Sequence, residues 1–139
     1  MEKIRGEHRG HLSRLAIWSA VCILVCGTAL YSAWSMGTPN GSWTSFLAWM
    51  CGWCLVNLAI CGLSWYGKPP GDLRKLREFL MLNEGLNVGY LGVGLALGLS
   101  SNAPVVQGAG WAIAIQGVAL LVLDTWLLMK LPSGAELEV

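Results

Sequence analysis

The stretch FLMLNEGLNVGYLGVGLALGL, Phe79 to Leu99, decides the fold. It is long and apolar enough to cross a bilayer, yet it holds Asn83, Glu84 and Asn87. A carboxyl inside a membrane helix costs free energy, so it calls for a pairing or a functional role. The segment just before it, LRKLREFL, opens amphipathically, with Arg74, Lys75 and Arg77 at the interface and Asp72 placed as an N-cap. Arg77 stands seven residues before Glu84, nearly on the same face, which brings the two within pairing reach.

Three further apolar runs surround this stretch. Residues 15–36 carry no charge and, at about 1.5 Å per residue, span about 33 Å. The run is too long for a signal-peptide core and lacks a good small-residue cleavage pattern, so it reads as an uncleaved membrane helix. Residues 43–66 form the second run and 105–131 the fourth, with 79–99 between them. GTPNGS (Gly37 to Ser42) and GKPPGD (Gly67 to Asp72) punctuate the chain as turns, so that 67–78 reads as a loop leading into an amphipathic helix start. Pro104 suits the first turn of the last helix.

Composition agrees with a membrane class. Of the 139 residues, 55% are hydrophobic and only 12% charged, about half the charge of an ordinary soluble domain. Mean hydropathy is +0.55. All nine Lys and Arg residues fall in the N-terminal segment, in and after the middle loop, or at Lys130. The other two loops have none, and the positive-inside rule then places both termini in the cytoplasm. Trp34 and Trp43 lie near the outer interface and Trp65 and Trp126 near the inner one, as interfacial indoles do. Trp49 and Trp53 lie deeper and read as packing residues. The expectation is an all-α, integral membrane four-helix bundle, N-in/C-in, in a single domain. Its first partner is the lipid bilayer, and nothing in it suggests nucleic acid.

This topology allows depths to be compared. Glu84 falls about 7 Å and Asp124 about 9 Å from the cytoplasmic side. Asn83 and Asn87 lie in or just above that layer, and Asn57 lies somewhat deeper. The intramembrane polar set is therefore Asn57, Asn83, Glu84, Asn87, Tyr90, Gln116 and Asp124. Asn83 and Asn87 share a face at i, i+4, and Tyr90 continues it. Two readings stay open: hydrogen-bonded glue between helices, or a proton or ion site facing a cytoplasmic cavity.

Other features read as structural. Gly85, Gly89 and Gly92 on the third helix, and Gly110, Ala114 and Gly117 on the fourth, have the small-residue spacing of close helix contact. Leu97 stands where a nucleotide fingerprint would need its third glycine. Cys51 and Cys54 frame a C-x-x-C, but no βαβ context surrounds it. Cys51, Cys54 and Cys61 share an arc of about 80°; with Cys22 and Cys26 they read as small apolar residues rather than a metal site. His8 and His11 read as solvated tail residues, since two ligands do not make a zinc site. Haem is disfavoured by the lack of histidine in the expected spans. No cofactor is expected.

Three segments carry a family likeness: GWCLVNLAICG (Gly52 to Gly62), LMLNEGLNVGYLGVGLAL (Leu80 to Leu97) and GAGWAIAIQGVALLVLD (Gly108 to Asp124). They resemble an uncharacterised family of small four-helix bacterial membrane proteins with a domain of unknown function. Its pattern has N-x-G-L-[DN]-V-G-Y in the third helix, matched by Asn83, Gly85, Asn87, Gly89 and Tyr90. The fourth helix carries G-x-G-W-x-x-x-x-Q-G…D, matched by Gly110, Trp111, Gln116, Gly117 and Asp124. Gly52, Trp53 and Asn57 match in the second. This chain departs by having Asn87 where an Asp is often found and Glu84 where a small residue is usual. The resemblance implies a multi-pass protein of the bacterial cytoplasmic membrane and no particular activity. The expected role is non-enzymatic, structural or partner-binding, as a homo-oligomer or with other membrane proteins. The alternative is a small transporter or proton-coupled channel using the polar layer.

Overall fold

The computed structural model describes residues 2–37, 41–67 and 72–132. Four helices fill them: α1 (Glu2–Ser35), α2 (Ser42–Tyr66), α3 (Leu73–Ser100) and α4 (Pro104–Lys130). Their ends follow local chemistry. Gly37 takes a φ of 71° after α1, a left-handed conformation open to glycine, and its N–H donates to the Trp34 carbonyl at 3.1 Å. Asp72 caps α3, its carboxylate accepting from the Arg74 N–H at 2.9 Å. Pro104 occupies the first turn of α4, where its missing N–H costs nothing.

Helix α4 is the centre of the arrangement. It packs against α3, α2 and α1, whereas α3 rests almost wholly on α4. A central helix must present small residues to its neighbours, and Gly108, Ala109, Gly110, Ala112, Ala114 and Gly117 are all buried. The buried stripe of α3 includes Leu73, Leu80, Asn87 and Gly94, spaced by sevens. Its side chains shrink along the helix, so α3 closes onto α4 towards Gly94 and Gly98. A Cβ at Gly94 would come within 2.7 Å of the Gly110 carbonyl oxygen, and one at Gly98 within 3.0 Å of the Trp111 ring.

This seam corrects the expected packing face of α3. Gly85, Gly89 and Gly92 meet nothing within 4 Å, because they lie about 140–160° around the helix from Asn87. Gly110 and Gly117 do face α3: a Cβ at Gly117 would lie 3.0 Å from the Asn87 carbonyl oxygen.

The N-terminal segment differs from expectation too. Helix α1 begins at Glu2, and Leu12 is buried with Leu15 and Cys61 in one cluster. The basic side chains do not prevent this. Arg9 places its guanidinium 5.6 Å from the Trp65 ring centroid on α2, and Arg14 lies 5.7 Å from that of Trp126 on α4. The outer surface is apolar: Leu24, Leu63, Leu99 and Met129 are each at least 70% exposed. Three helices are long and apolar enough to cross a membrane, over Ile4–Ser35, Ser42–Tyr66 and Pro104–Lys130. Helix α3 does not join them on composition, since Asn83, Glu84 and Asn87 lower its hydropathy.

Candidate functional site

Three helices meet at Asp124. Its Oδ2 accepts a hydrogen bond from Asn87 Nδ2 of α3 at 3.0 Å, and its Oδ1 lies 3.3 Å from His11 Nε2 of α1. All three residues are no more than 6% exposed. A carboxylate buried at this level is tolerable only when both oxygens have partners, and here each oxygen has one from a different helix. The register of α3 explains its part: Asn87 interrupts the stripe of Leu73, Leu80 and Gly94 and so points at α4.

The reading of His11 as a solvated tail residue is therefore corrected. Its signal was in the sequence. His11, Leu15, Ser19, Cys22 and Cys26 recur at helical spacing, and all five are buried. The polar composition of the first fourteen residues hid the fact that this stripe continues below Leu15. His8, one turn earlier, is half-buried and lines the same cavity as His11.

That cavity has a volume of about 290 Å³ and lies between α2 and α3, with α1 and α4 behind it. Asn57, Asn83, Asn87, Tyr90 and Asp124 all line it, so five of the seven expected polar residues gather at one place. Asn57 is buried and its Nδ2 makes no hydrogen bond. Tyr90 and Trp53 face each other across α3 and α2, ring centroids 5.5 Å apart. Asp124 lies four residues, about one turn, from the Leu120 that also lines the cavity.

The other two polar residues sit elsewhere. Glu84 does not pair with Arg77. It accepts from Thr125 Oγ1 at 2.9 Å at an exposed position, while Arg77 Nη1 donates to the Pro132 carbonyl at 2.7 Å. The two long side chains find nearer partners at the end of α4. Gln116 lies eight residues from Asp124, about 12 Å along the helix. It belongs to a separate cluster, accepting from Trp18 Nε1 at 3.4 Å and facing Cys54 Sγ at 3.2 Å and Met50 Sδ at 3.6 Å.

The cysteines join across helices rather than along α2 alone. Cys22 and Cys26 of α1 pack with Cys54 of α2, with Cys51 against them. Cys61 stands apart, its thiol 3.6 Å from the Leu12 carbonyl oxygen. Among the described residues no group of three or more His, Cys, Asp or Glu side chains is arranged to hold a metal ion.

The model of a family of unknown function, DUF6992, matches residues 14–125. The chain belongs to that family. The match takes in Asn57, Asn83, Asn87, Tyr90, Gln116 and Asp124 and ends one residue beyond Asp124. His11, the partner of Asp124 from α1, lies three residues before the part matched to DUF6992. Comparison with the curated proteins and with the solved structures found no match.

Proposed function

We propose that this chain is a multi-pass protein of the bacterial cytoplasmic membrane, with four crossings and both termini inside. Its role is non-enzymatic: a small helical unit that orders or partners other membrane components. Three helices have the length and hydropathy of membrane spans. Helix α3, of 28 residues, is long enough for a fourth crossing and buries Asn87 against α4. The Lys and Arg bias supplies the orientation.

The observation that carries the structural role is the double engagement of Asp124 by His11 and Asn87. A carboxylate whose two oxygens are held by two other helices ties a small bundle together. Maleimide labelling of Ser42→Cys, in a background with the five native cysteines replaced by alanine, tests the topology. Labelling from outside right-side-out vesicles is expected, and labelling from the cytoplasmic face alone overturns the orientation.

The cavity favours a second reading, a proton-coupled transporter, because it reaches both His11 and Asp124. Proteoliposome flux separates the two. Proton flux that is lost in Asp124→Asn supports transport; equal, background-level flux in both proteins supports the structural role.

A further inference from the structure

The cavity between α2 and α3 has more hydrogen-bonding capacity than the protein uses. Besides His11 Nδ1, two buried N–H donors that make no hydrogen bond, Asn57 Nδ2 and Trp53 Nε1, belong to residues that line it. They stand one turn apart on α2, at i and i+4, and so share a face. Asn57 is only 4% exposed, so water at the protein surface does not serve it. Buried donors are ordinarily paired, and two adjacent orphans beside one space point to an acceptor that occupies it.

The surroundings narrow its chemistry. An anion is disfavoured by Asp124, which lines the same space. A cation would meet N–H donors, and both oxygens of Asp124 are already engaged by His11 and Asn87. The remaining wall is largely aliphatic, with Leu12, Leu80 and Leu127 among its residues. The volume of about 290 Å³ sits at the small end of ligand sites, enough for one ring and its substituents. Trp53 and Tyr90 supply aromatic faces beside it.

We propose that this cavity binds the carbonyl oxygen of an uncharged lipophilic molecule, its head between Trp53, Asn57 and Tyr90 and its tail passing out between α2 and α3. A quinone ring has this chemistry, and so does the ester of a neutral glycerolipid. The assignment rests on membrane insertion as proposed above, since the ligand enters from the bilayer. It involves binding alone.

The test uses the full chain in phosphatidylcholine nanodiscs. Decylbenzoquinone and dioctanoylglycerol are titrated separately, and bound probe is counted against empty nanodiscs. Saturable binding of either probe near one per chain is expected, and the probe that binds identifies the source of the carbonyl. Asn57→Leu and Trp53→Phe should each weaken it about tenfold, the loss of one buried hydrogen bond. Trp65→Phe, away from the cavity, should leave it unchanged. If Asn57→Leu does not fold, the conservative Trp53→Phe decides. Uptake of both probes that matches empty nanodiscs, or affinity unaltered in Trp53→Phe, overturns the proposal. Elution of the chain with the nanodiscs reads insertion independently, so failure to bind is distinct from failure to insert.

Discussion

Asp124, near the end of the last helix, lies 3.3 Å from His11, near the start of the first. The contact closes the bundle at one end, because α1 and α4 are otherwise the more loosely packed pair around the central helix. Asn87 adds α3 to the same carboxylate at 3.0 Å. In a bilayer of the kind proposed above, packing rather than aliphatic burial from water holds helices together, and hydrogen bonds of this kind contribute on the order of 1 kcal/mol each.

The closeness of α3 and α4 gives a sharp contrast between glycines on one helix. Gly94→Ala places a methyl against the Gly110 backbone, and the two helices must separate to admit it. The expected cost is about 1–3 kcal/mol, read as a fall in unfolding free energy in mixed micelles. Gly89→Ala has open space around it and should lose no stability, with a slight gain from helix propensity. Equal effects at the two positions would contradict the seam described here.

Cysteine reactivity reports the α1–α2 contact. Cys22, Cys26, Cys54 and Cys61 are each no more than 8% exposed, while Cys51 is half-buried. In the folded protein in detergent, a bulky maleimide should modify Cys51 first and the other four only on denaturation. Mass spectrometry of the labelled peptides checks the order. Rapid labelling of Cys54, which is 0% exposed, would show that α1 does not cover α2 as described.

The two carboxylates of the polar set should behave differently. Glu84 bonds Thr125 at an exposed position, so Glu84→Gln should change stability by less than about 0.5 kcal/mol. Asp124→Leu leaves His11 and Asn87 buried without their partner and should cost about 1–3 kcal/mol. Unfolding titrations of the two variants make the comparison. A larger loss at Glu84 than at Asp124 would reverse the assignment.

Much of this arrangement is legible in the sequence, and the reasons differ by element. The helices of residues 43–66 and 105–131 are marked by long, mainly apolar runs with Gly and Pro at their ends, and the structure gives Ser42–Tyr66 and Pro104–Lys130. Helical rise alone brings Asn87 and Asp124 to one depth, and they are bonded. His11 was obscured because composition describes a segment by its average, whereas burial follows one face. The true seam of α3 was obscured for a related reason. Gly85, Gly89 and Gly92 and the pair Gly94 and Gly98 both have small-residue spacing, and only the position of Asn87 relative to Asp124 selects between them. Gln116 fell outside the layer because its distance from Asp124 along α4, about 12 Å, places it with Trp18 and Cys54 instead. The loop residues Pro39, Asn40 and Gly71, and the acidic tail residues Glu136 and Glu138, lie outside the described residues.

A double-mutant cycle on His11→Leu and Asp124→Leu measures the coupling between the start of α1 and the end of α4. The two single variants and the double variant are unfolded in mixed micelles under one set of conditions. Each single change leaves a buried polar partner behind and should destabilise, whereas the double change removes both partners together. The expected coupling free energy is about 1–2 kcal/mol, with the double variant about as stable as the better single one. Strictly additive losses would show that His11 and Asp124 do not interact and that the carboxylate does not tie α1 to α4.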